Sequence, residues 1–232
     1  MVSPGTGALS ERLLEAGVRV LAVEIDHDIQ PILLERLAPF ADRFNYTSAT
    51  SSKANTSSNP VFGFLTLSPI PETRYPIPDH FKLIANLPYN IASPLLVNLA
   101  VDHPGMTTAV IMIQREVADR ITAKPGGKDY GPLSVILQAV CEVDIVGTLS
   151  PACFWPAPKV ASAVVRLVRR ANPLTDNPAA LSRCLQTLFQ KRRKQIGAIL
   201  GREKPLPDGI NPDARPESLS VEQFVALARW LG

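Results

Sequence analysis

Cysteine, histidine and long apolar runs are all scarce in this chain of 232 residues. The three cysteines, Cys141, Cys153 and Cys184, are odd in number and far apart, so they form neither a disulfide framework nor a zinc pattern. His27, His80 and His103 are scattered without ligand spacing, and no metal site is expected. No apolar stretch reaches the roughly 18 residues of a membrane-spanning helix. The first residues lack the basic start and apolar run of a secretory signal. No internal repeat is visible. These absences point to a reduced, cytoplasmic compartment and to no membrane partner.

What is present is a globular composition, 46% hydrophobic and 19% charged, of a length that suits one core domain with a small appendage. The formal net charge of +3 hides a segregation. From Lys159 to Lys204 there are eleven Lys or Arg against two acids, Asp176 and Glu203, so that region is +9 and the remainder −6. Lys191-Arg192-Arg193-Lys194 is its densest part. A charge run of this kind fits a solvated helix face or a nucleic-acid footprint.

The segment Asn86-Leu87-Pro88-Tyr89, entered from the apolar run Phe81-Lys82-Leu83-Ile84-Ala85, carries the most specific chemistry. A buried strand delivers an amide, a rigid proline turn and an aromatic ring to one point. That suits a flat base bearing an exocyclic amine. The Asn86 amide oxygen and the Leu87 carbonyl can accept both hydrogens of an –NH2 group. Pro88 has no N–H and a fixed φ, so it holds that carbonyl outward. Tyr89 offers a face on which a base can stack. An aromatic amine is a poor nucleophile because its lone pair is delocalised. Two acceptors on its hydrogens favour a pyramidal nitrogen with a localised lone pair, and no general base is needed before attack. By itself the tetrapeptide also fits a strand end closed by an ordinary Pro-Tyr turn.

A second signal lies at the N-terminus. Ser3-Pro4-Gly5-Thr6-Gly7-Ala8-Leu9 precedes a helical pattern at Leu9, Leu13, Leu14 and Ala16, then an apolar strand from Val18 to Val23 ending in Glu24-Ile25-Asp26. Glycines at a strand-to-helix turn let a nucleoside approach the backbone, and a carboxylate at the end of the next strand can accept both ribose hydroxyls. Glu24 stands 17 residues after Gly7, close to the roughly 20-residue spacing of dinucleotide-binding folds.

In this order the segments resemble a known family. Pro4-Gly5-Thr6-Gly7-Ala8-Leu9, Val23-Glu24-Ile25-Asp26, Asn86-Leu87-Pro88-Tyr89-Asn90-Ile91, Gln114-Arg115-Glu116-Val117-Ala118-Asp119-Arg120, Asp129-Tyr130-Gly131-Pro132-Leu133-Ser134, Phe154-Trp155-Pro156-Ala157-Pro158-Lys159-Val160, Ser162-Ala163-Val164-Val165-Arg166-Leu167, Gln190-Lys191-Arg192-Arg193-Lys194 and Arg215-Pro216-Glu217-Ser218-Leu219-Ser220 succeed one another. The chain is similar to the ribosomal RNA adenine N6-dimethyltransferases, and most to those acting on small-subunit (16S) rRNA. The likeness covers nearly all of it except about residues 41–80. It implies an α/β fold, a Rossmann-like S-adenosylmethionine-dependent methyltransferase domain with a small C-terminal all-helical domain. It also implies S-adenosylmethionine across Gly5 and Gly7, with its ribose on Glu24 and its methyl toward Asn86. Asn86, Leu87, Pro88 and Tyr89 would then be catalytic, and the flipped adenine would lie between Tyr89 and Phe154. Lys159 and residues 191–194 would meet RNA of the pre-ribosomal small subunit, and the protein would work as a monomer.

Two departures bear on activity. Ser3 stands where the family has the first glycine of its loop, and the chain starts almost inside that loop. The family's acid for the cofactor adenine has no counterpart in Tyr46-Thr47-Ser48-Ala49-Thr50. A catalytically impaired RNA-binding assembly factor is therefore an alternative, and a large-subunit rRNA adenine dimethyltransferase is another.

Punctuation sets the expected organisation. Residues 1–171 form the methyltransferase domain and 172–232 the helical RNA-binding domain. Within the first, 45–80 is an irregular insertion and connection. Eleven of the fifteen residues 45–59 are Ser, Thr or Asn, and Pro60, Pro69, Pro71, Pro76 and Pro78 follow. Helices are expected over 92–102 and 115–123, and strands at 81–86, 110–113, 135–145 and 163–168. Leu181, Leu185, Leu188, Ile196 and Ile199 are expected on one helix face. Ser220-Val221-Glu222-Gln223 reads as a capping box for a last helix with Phe224, Val225, Ala228 and Leu231 inward.

Overall fold

The computed structural model describes residues 2–3, 5–24, 26, 28–48, 79–87 and 92–232. Pro88, Tyr89, and the serine-rich and proline-rich stretch from 49 to 78 lie outside the described residues. A short strand β1 (Val2–Ser3) leads through the glycine turn into helix α1 (Ala8–Glu15), strand β2 (Val20–Glu24), helix α2 (Gln30–Leu37) and strand β3 (Phe44–Ser48). Strand β4 (Phe81–Asn86), helix α3 (Ala92–Asp102), strand β5 (Met106–Gln114) and helix α4 (Arg115–Thr122) follow. Helix α5 (Pro132–Val140), strands β6 (Cys141–Leu149) and β7 (Ser162–Arg169), and helices α6 (Pro178–Phe189), α7 (Ile196–Leu200) and α8 (Val221–Leu231) complete the chain.

The seven strands form one sheet in the order β3-β2-β1-β4-β5-β7-β6. Strands β1 to β5 are parallel, and β7 runs antiparallel to both its neighbours. This is the Rossmann-like α/β architecture expected. Side chains alternate along β4, and the alternation separates the two faces. Leu83, Ala85 and Leu87 join the large core beneath α3, α4 and α5. Ile84 packs instead against Leu14, Ala22, Leu33 and Leu37, the smaller core under α1 and α2. Each fully buried Leu or Ile contributes roughly 1.5–3 kcal/mol of burial free energy. The large core continues into the C-terminal helices: Leu181, Leu185, Leu188 and Phe224 belong to it together with Leu83 and Ile111.

Three expected elements differ. Residues 135–145 are not one strand. Pro132 opens α5, and the Gly131 N–H donates to Ser134 Oγ at its start. The helix is buried on nearly every side, at Leu133, Ser134, Val135, Ile136, Leu137, Ala139 and Val140, so its sequence reads as a nearly continuous apolar run. The strand begins only at Cys141. Second, 181–199 is not one helix. It breaks after Phe189, and Lys191 to Lys194 form a turn held by the Lys194 N–H donating to the Lys191 carbonyl at 2.8 Å. Third, Leu231 is 44% exposed, whereas Phe224, Val225 and Ala228 are buried as expected. The last helix does carry its capping box, with Ser220 Oγ accepting from the Gln223 N–H and the Gln223 side chain accepting from the Ser220 N–H.

Candidate active site

Parallel strands bring their C-terminal ends to one edge of the sheet, where α/β folds bind ligands. Val2 is the register partner of both Ala22 on β2 and Ile84 on β4. Two residues farther on, β2 ends at Glu24 and β4 at Asn86. The two therefore stand at one height on either side of the glycine turn. They share a face, because Ala22 and Ile84 both meet the smaller core. Strand spacing puts their backbones roughly 10 Å apart.

The turn between them needs glycine. Gly5 and Gly7 have φ of 49° and 94°. Gly7 is the N-cap of α1, and a Cβ there would lie 3.1 Å from Leu33 Cδ1. Among the described residues, none would come within 4 Å of a Cβ on Gly5, which leaves room for a ligand on that side. Arg36 fixes the turn from α2. Its Nη1 donates to the Thr6 carbonyl at 3.2 Å, and its Nε and Nη2 both donate to Glu11 Oε2, at 3.1 and 2.7 Å. This clamp pairs residues 25 to 30 positions apart and has no local sequence signature.

Glu24 Oε1 accepts from the Asp26 N–H at 3.2 Å, and Asp26 Oδ1 from the Asp28 N–H at 2.9 Å. The chain leaving β2 thus folds back beside the carboxylate. Ser48, the nearest counterpart of the missing acid, is the register partner of Glu24. One step down, Tyr46 pairs with Ala22. Burial, then Glu24, then Asp26 push its hydroxyl above the usual tyrosine range. A left-handed glycine turn with open space before it, flanked by a carboxylate at a strand end, fits the ribose and amino-acid parts of S-adenosylmethionine.

Asn86 is exposed at its strand end, while the Leu87 side chain is buried. The Leu87 N–H donates to the Met112 carbonyl on β5 at 3.1 Å, which pins the segment as it leaves the sheet. Among the described residues, no group of three or more His, Cys, Asp or Glu is placed to hold a metal ion. No helix among them is long and apolar enough to cross a membrane.

Comparison with known proteins gives this arrangement its family. The model for ribosomal RNA adenine dimethylases matches residues 2–232. The "Ribosomal RNA small subunit methyltransferase A" of Dinoroseobacter shibae is 40% identical over 99% of this chain and 80% of its own length. That of Nitrosococcus oceani is 37% identical over 99% of this chain and 84% of its own. A dimethyladenosine transferase from Plasmodium falciparum shares the fold, with a TM-score of 0.74 at 22% identity, over 97% of this chain and 86% of its own. The chain belongs to the ribosomal RNA adenine dimethylase family. Members of this family are S-adenosylmethionine-dependent methyltransferases.

The other dimethylase motifs fall around the same edge or on the C-terminal helices. Strand β7 starts at Ser162, paired with Gln114 at the end of β5 and with Leu149 at the end of β6. The connection from 150 to 161 therefore emerges beside the C-terminal ends of β4 and β5. Within it, Ser150 Oγ accepts from the Ala152 N–H and caps a short 3-10 turn, Pro151–Cys153. Phe154 follows, half-buried, and Lys159 is exposed. Lys191, Arg193 and Lys194 are exposed on their turn. Arg192 is engaged within the molecule. It donates to the Lys128 carbonyl at 3.3 Å and stands 3.8 Å from Glu217, whose own carbonyl accepts from the Gly126 N–H at 2.7 Å. The structure thus groups Gly5, Gly7, Glu24, Asn86 and Leu87 at one edge and brings Phe154 and Lys159 to its flank. The basic turn lies on the helical part.

Proposed function

We propose that this dimethylase converts adenosines of small-subunit (16S) rRNA to N6,N6-dimethyladenosine on ribosome precursors, as a monomer in the cytoplasm. The observation that carries the reading is the common height of Glu24 and Asn86 on either side of an open left-handed glycine turn. Bound S-adenosylmethionine supplies a methyl carbon activated by its sulfonium. Glu24 accepts hydrogen bonds from the ribose hydroxyls, and the backbone at Gly5 and Gly7 allows close approach. The Asn86 amide oxygen and the Leu87 carbonyl accept the two hydrogens of the adenine amine, which keeps its lone pair out of the ring and aimed along one line. Phe154 and Tyr89 hold the extruded base by stacking. Catalysis is then mainly positioning, a contribution on the order of 7–11 kcal/mol in well-oriented systems. Lys159, Lys191, Arg192, Arg193 and Lys194 serve RNA, by phosphate contact or by shaping the turn, within a C-terminal helical unit spanning 172–232.

The test is Asn86→Ala, assayed by mass spectrometry of adenosines from precursor small subunits. One preorganised polar contact is worth roughly 10²–10³ in rate. Turnover should fall by that factor, while RNA affinity and the unfolding midpoint stay within error. Near-normal dimethylation by the variant would refute the assignment.

A further inference from the structure

Trp155 is 98% exposed, whereas every other exposed large apolar residue among the described ones is 54% or less. It touches almost nothing of its own chain. Trp155 sits on the connection between β6 and β7, after the half-buried Phe154 and before Pro156, Ala157 and Val160, of which Val160 is also 42% exposed. The connection re-enters the sheet at Ser162, opposite Gln114, and Gln114 lies two residues past Met112, the register partner of Asn86. With β5 between them, β7 and β4 are roughly 10 Å apart. No Asp or Glu occurs between Asp144 and Asp176, and Lys159 is exposed four residues beyond the tryptophan. An indole free on both faces, four residues from an exposed cation, suits a nucleobase attached to phosphate. It suits an acidic or apolar protein surface less well, because aromatic stacking tolerates any base while the cation meets the backbone.

We infer that Trp155 is a stacking platform for an unpaired nucleotide neighbouring the target adenosine, so that it selects RNA whose target lies in a single-stranded segment. This rests on the reading of the Asn86 edge as the methyl-transfer site. It assigns Trp155 a task separate from that of Phe154, which closes on the target base itself. A duplex keeps its neighbouring bases stacked on one another and offers none to the indole. A loop offers one.

The chain has two tryptophans, so Trp230→Phe leaves Trp155 as the sole indole reporter. A hairpin RNA with unpaired adenosines in its loop should quench that fluorescence. A blunt duplex of equal length should not. Trp155→Ala should raise KM for precursor small subunits between about five- and hundred-fold, the span given by the usual worth of a base–aromatic stack. The kcat should change little, because the contact is made equally before and during transfer. Trp155→Phe should recover most of the loss. Equal quenching by hairpin and duplex, or an unchanged KM in Trp155→Ala, overturns the proposal. A change confined to self-association in Trp155→Ala assigns the residue to a protein contact and overturns it too. If Trp230→Phe unfolds, the quenching difference between the full chain and Trp155→Phe gives the same readout. Asn86→Ala should keep the quenching while losing methyl transfer. If Asn86→Ala stays active and the quenching remains, the catalytic reading fails and the stacking site stands.

Discussion

The guanidinium of Arg192 stands 3.8 Å from the Glu217 carboxylate, and both residues also hold the backbone of the loop after α4. The basic turn and the segment from Lys124 to Asp129 are thereby tied together. A partly buried pair at 3.8 Å, too long for a hydrogen bond, adds little stability by itself. Its effect is on shape, since it sets where Lys191, Arg193 and Lys194 project. Arg193→Ala should therefore lower the slope of log K against log[salt] for precursor small subunits by about 0.7–0.9, the share of one phosphate. Arg192→Ala should weaken binding with a smaller change of slope, and should make the loop at Gly126 easier to cleave with protease. Equal slopes for the parent and Arg193→Ala would return the turn to an ordinary solvated surface.

The cofactor edge gives a second expectation. Glu24→Gln keeps the shape of the side chain and removes its charge. A hydrogen bond to a charged group is worth about 1.5–3 kcal/mol, so the affinity for S-adenosylhomocysteine should fall roughly ten- to hundred-fold in calorimetric titration. Gly7→Ala acts differently. At φ 94°, with Leu33 Cδ1 3.1 Å from the added carbon, it should lower the unfolding midpoint as well as the affinity. Unchanged affinity in Glu24→Gln would move the cofactor to another part of the sheet edge.

Much of this fold is legible in the sequence because its signals are local. The strand ending at Asn86 and the helix over 92–102 have the bounds their apolar spacing suggests. Gly5 and Gly7 do form a strand-to-helix turn, as two glycines before a helical pattern suggest, and both take positive φ. Residues 135–145 misled because a helix buried all round and a buried strand both read as nearly unbroken apolar runs. The joint at 190–195 was hidden because apolar spacing continues across it from Leu188 to Ile196. The Arg36–Glu11 clamp, the Arg192–Glu217 tie and the exposure of Trp155 depend on residues far apart in the chain or on what fails to pack. No window of neighbouring letters encodes these.

Arg169 yields a prediction about the scaffold behind the catalytic strand. Its Nε donates to the Met106 carbonyl at 3.1 Å, and Nη2 lies 3.2–3.3 Å from the carbonyls of Leu99, Ala100 and His103. It is a cation at the C-terminal end of α3, which favours the helix dipole and satisfies carbonyls that the last turn leaves over. Arg169→Ala should cost roughly 1.5–3 kcal/mol. For a chain of this size that is a fall of about 3–12 °C in Tm by calorimetry. Arg169→Lys should recover little, since an ammonium cannot span the four acceptors in a planar fork. Full recovery by lysine would reduce the effect to charge alone.

The cysteines offer a test of both packing and site. Cys141 and Cys184 are buried and Cys153 is exposed. Burial raises the Cys141 thiol, opposed in part by Arg169 and Arg170, and pushes that of Cys184 from 9.0 up to about 12. A thiol reacts as its thiolate, so an aromatic disulfide reagent at pH 8 should label one cysteine in the native protein and three in denaturant. Cys153→Ser should abolish the native label. The sign for stability follows from the same shift. The unfolded chain releases the Cys184 proton near 9.0 and the folded chain holds it to about 12, so this contribution is intact below pH 9 and is lost as pH rises through that window. Cys153 ends the turn immediately before Phe154 and Trp155, at the flank of the sheet edge. A bulky label there should hinder RNA docking and raise KM for precursor subunits, while the affinity for S-adenosylhomocysteine, measured by calorimetry, stays as it was. Loss of cofactor affinity on labelling would place Cys153 inside the cofactor pocket instead of beside the RNA path.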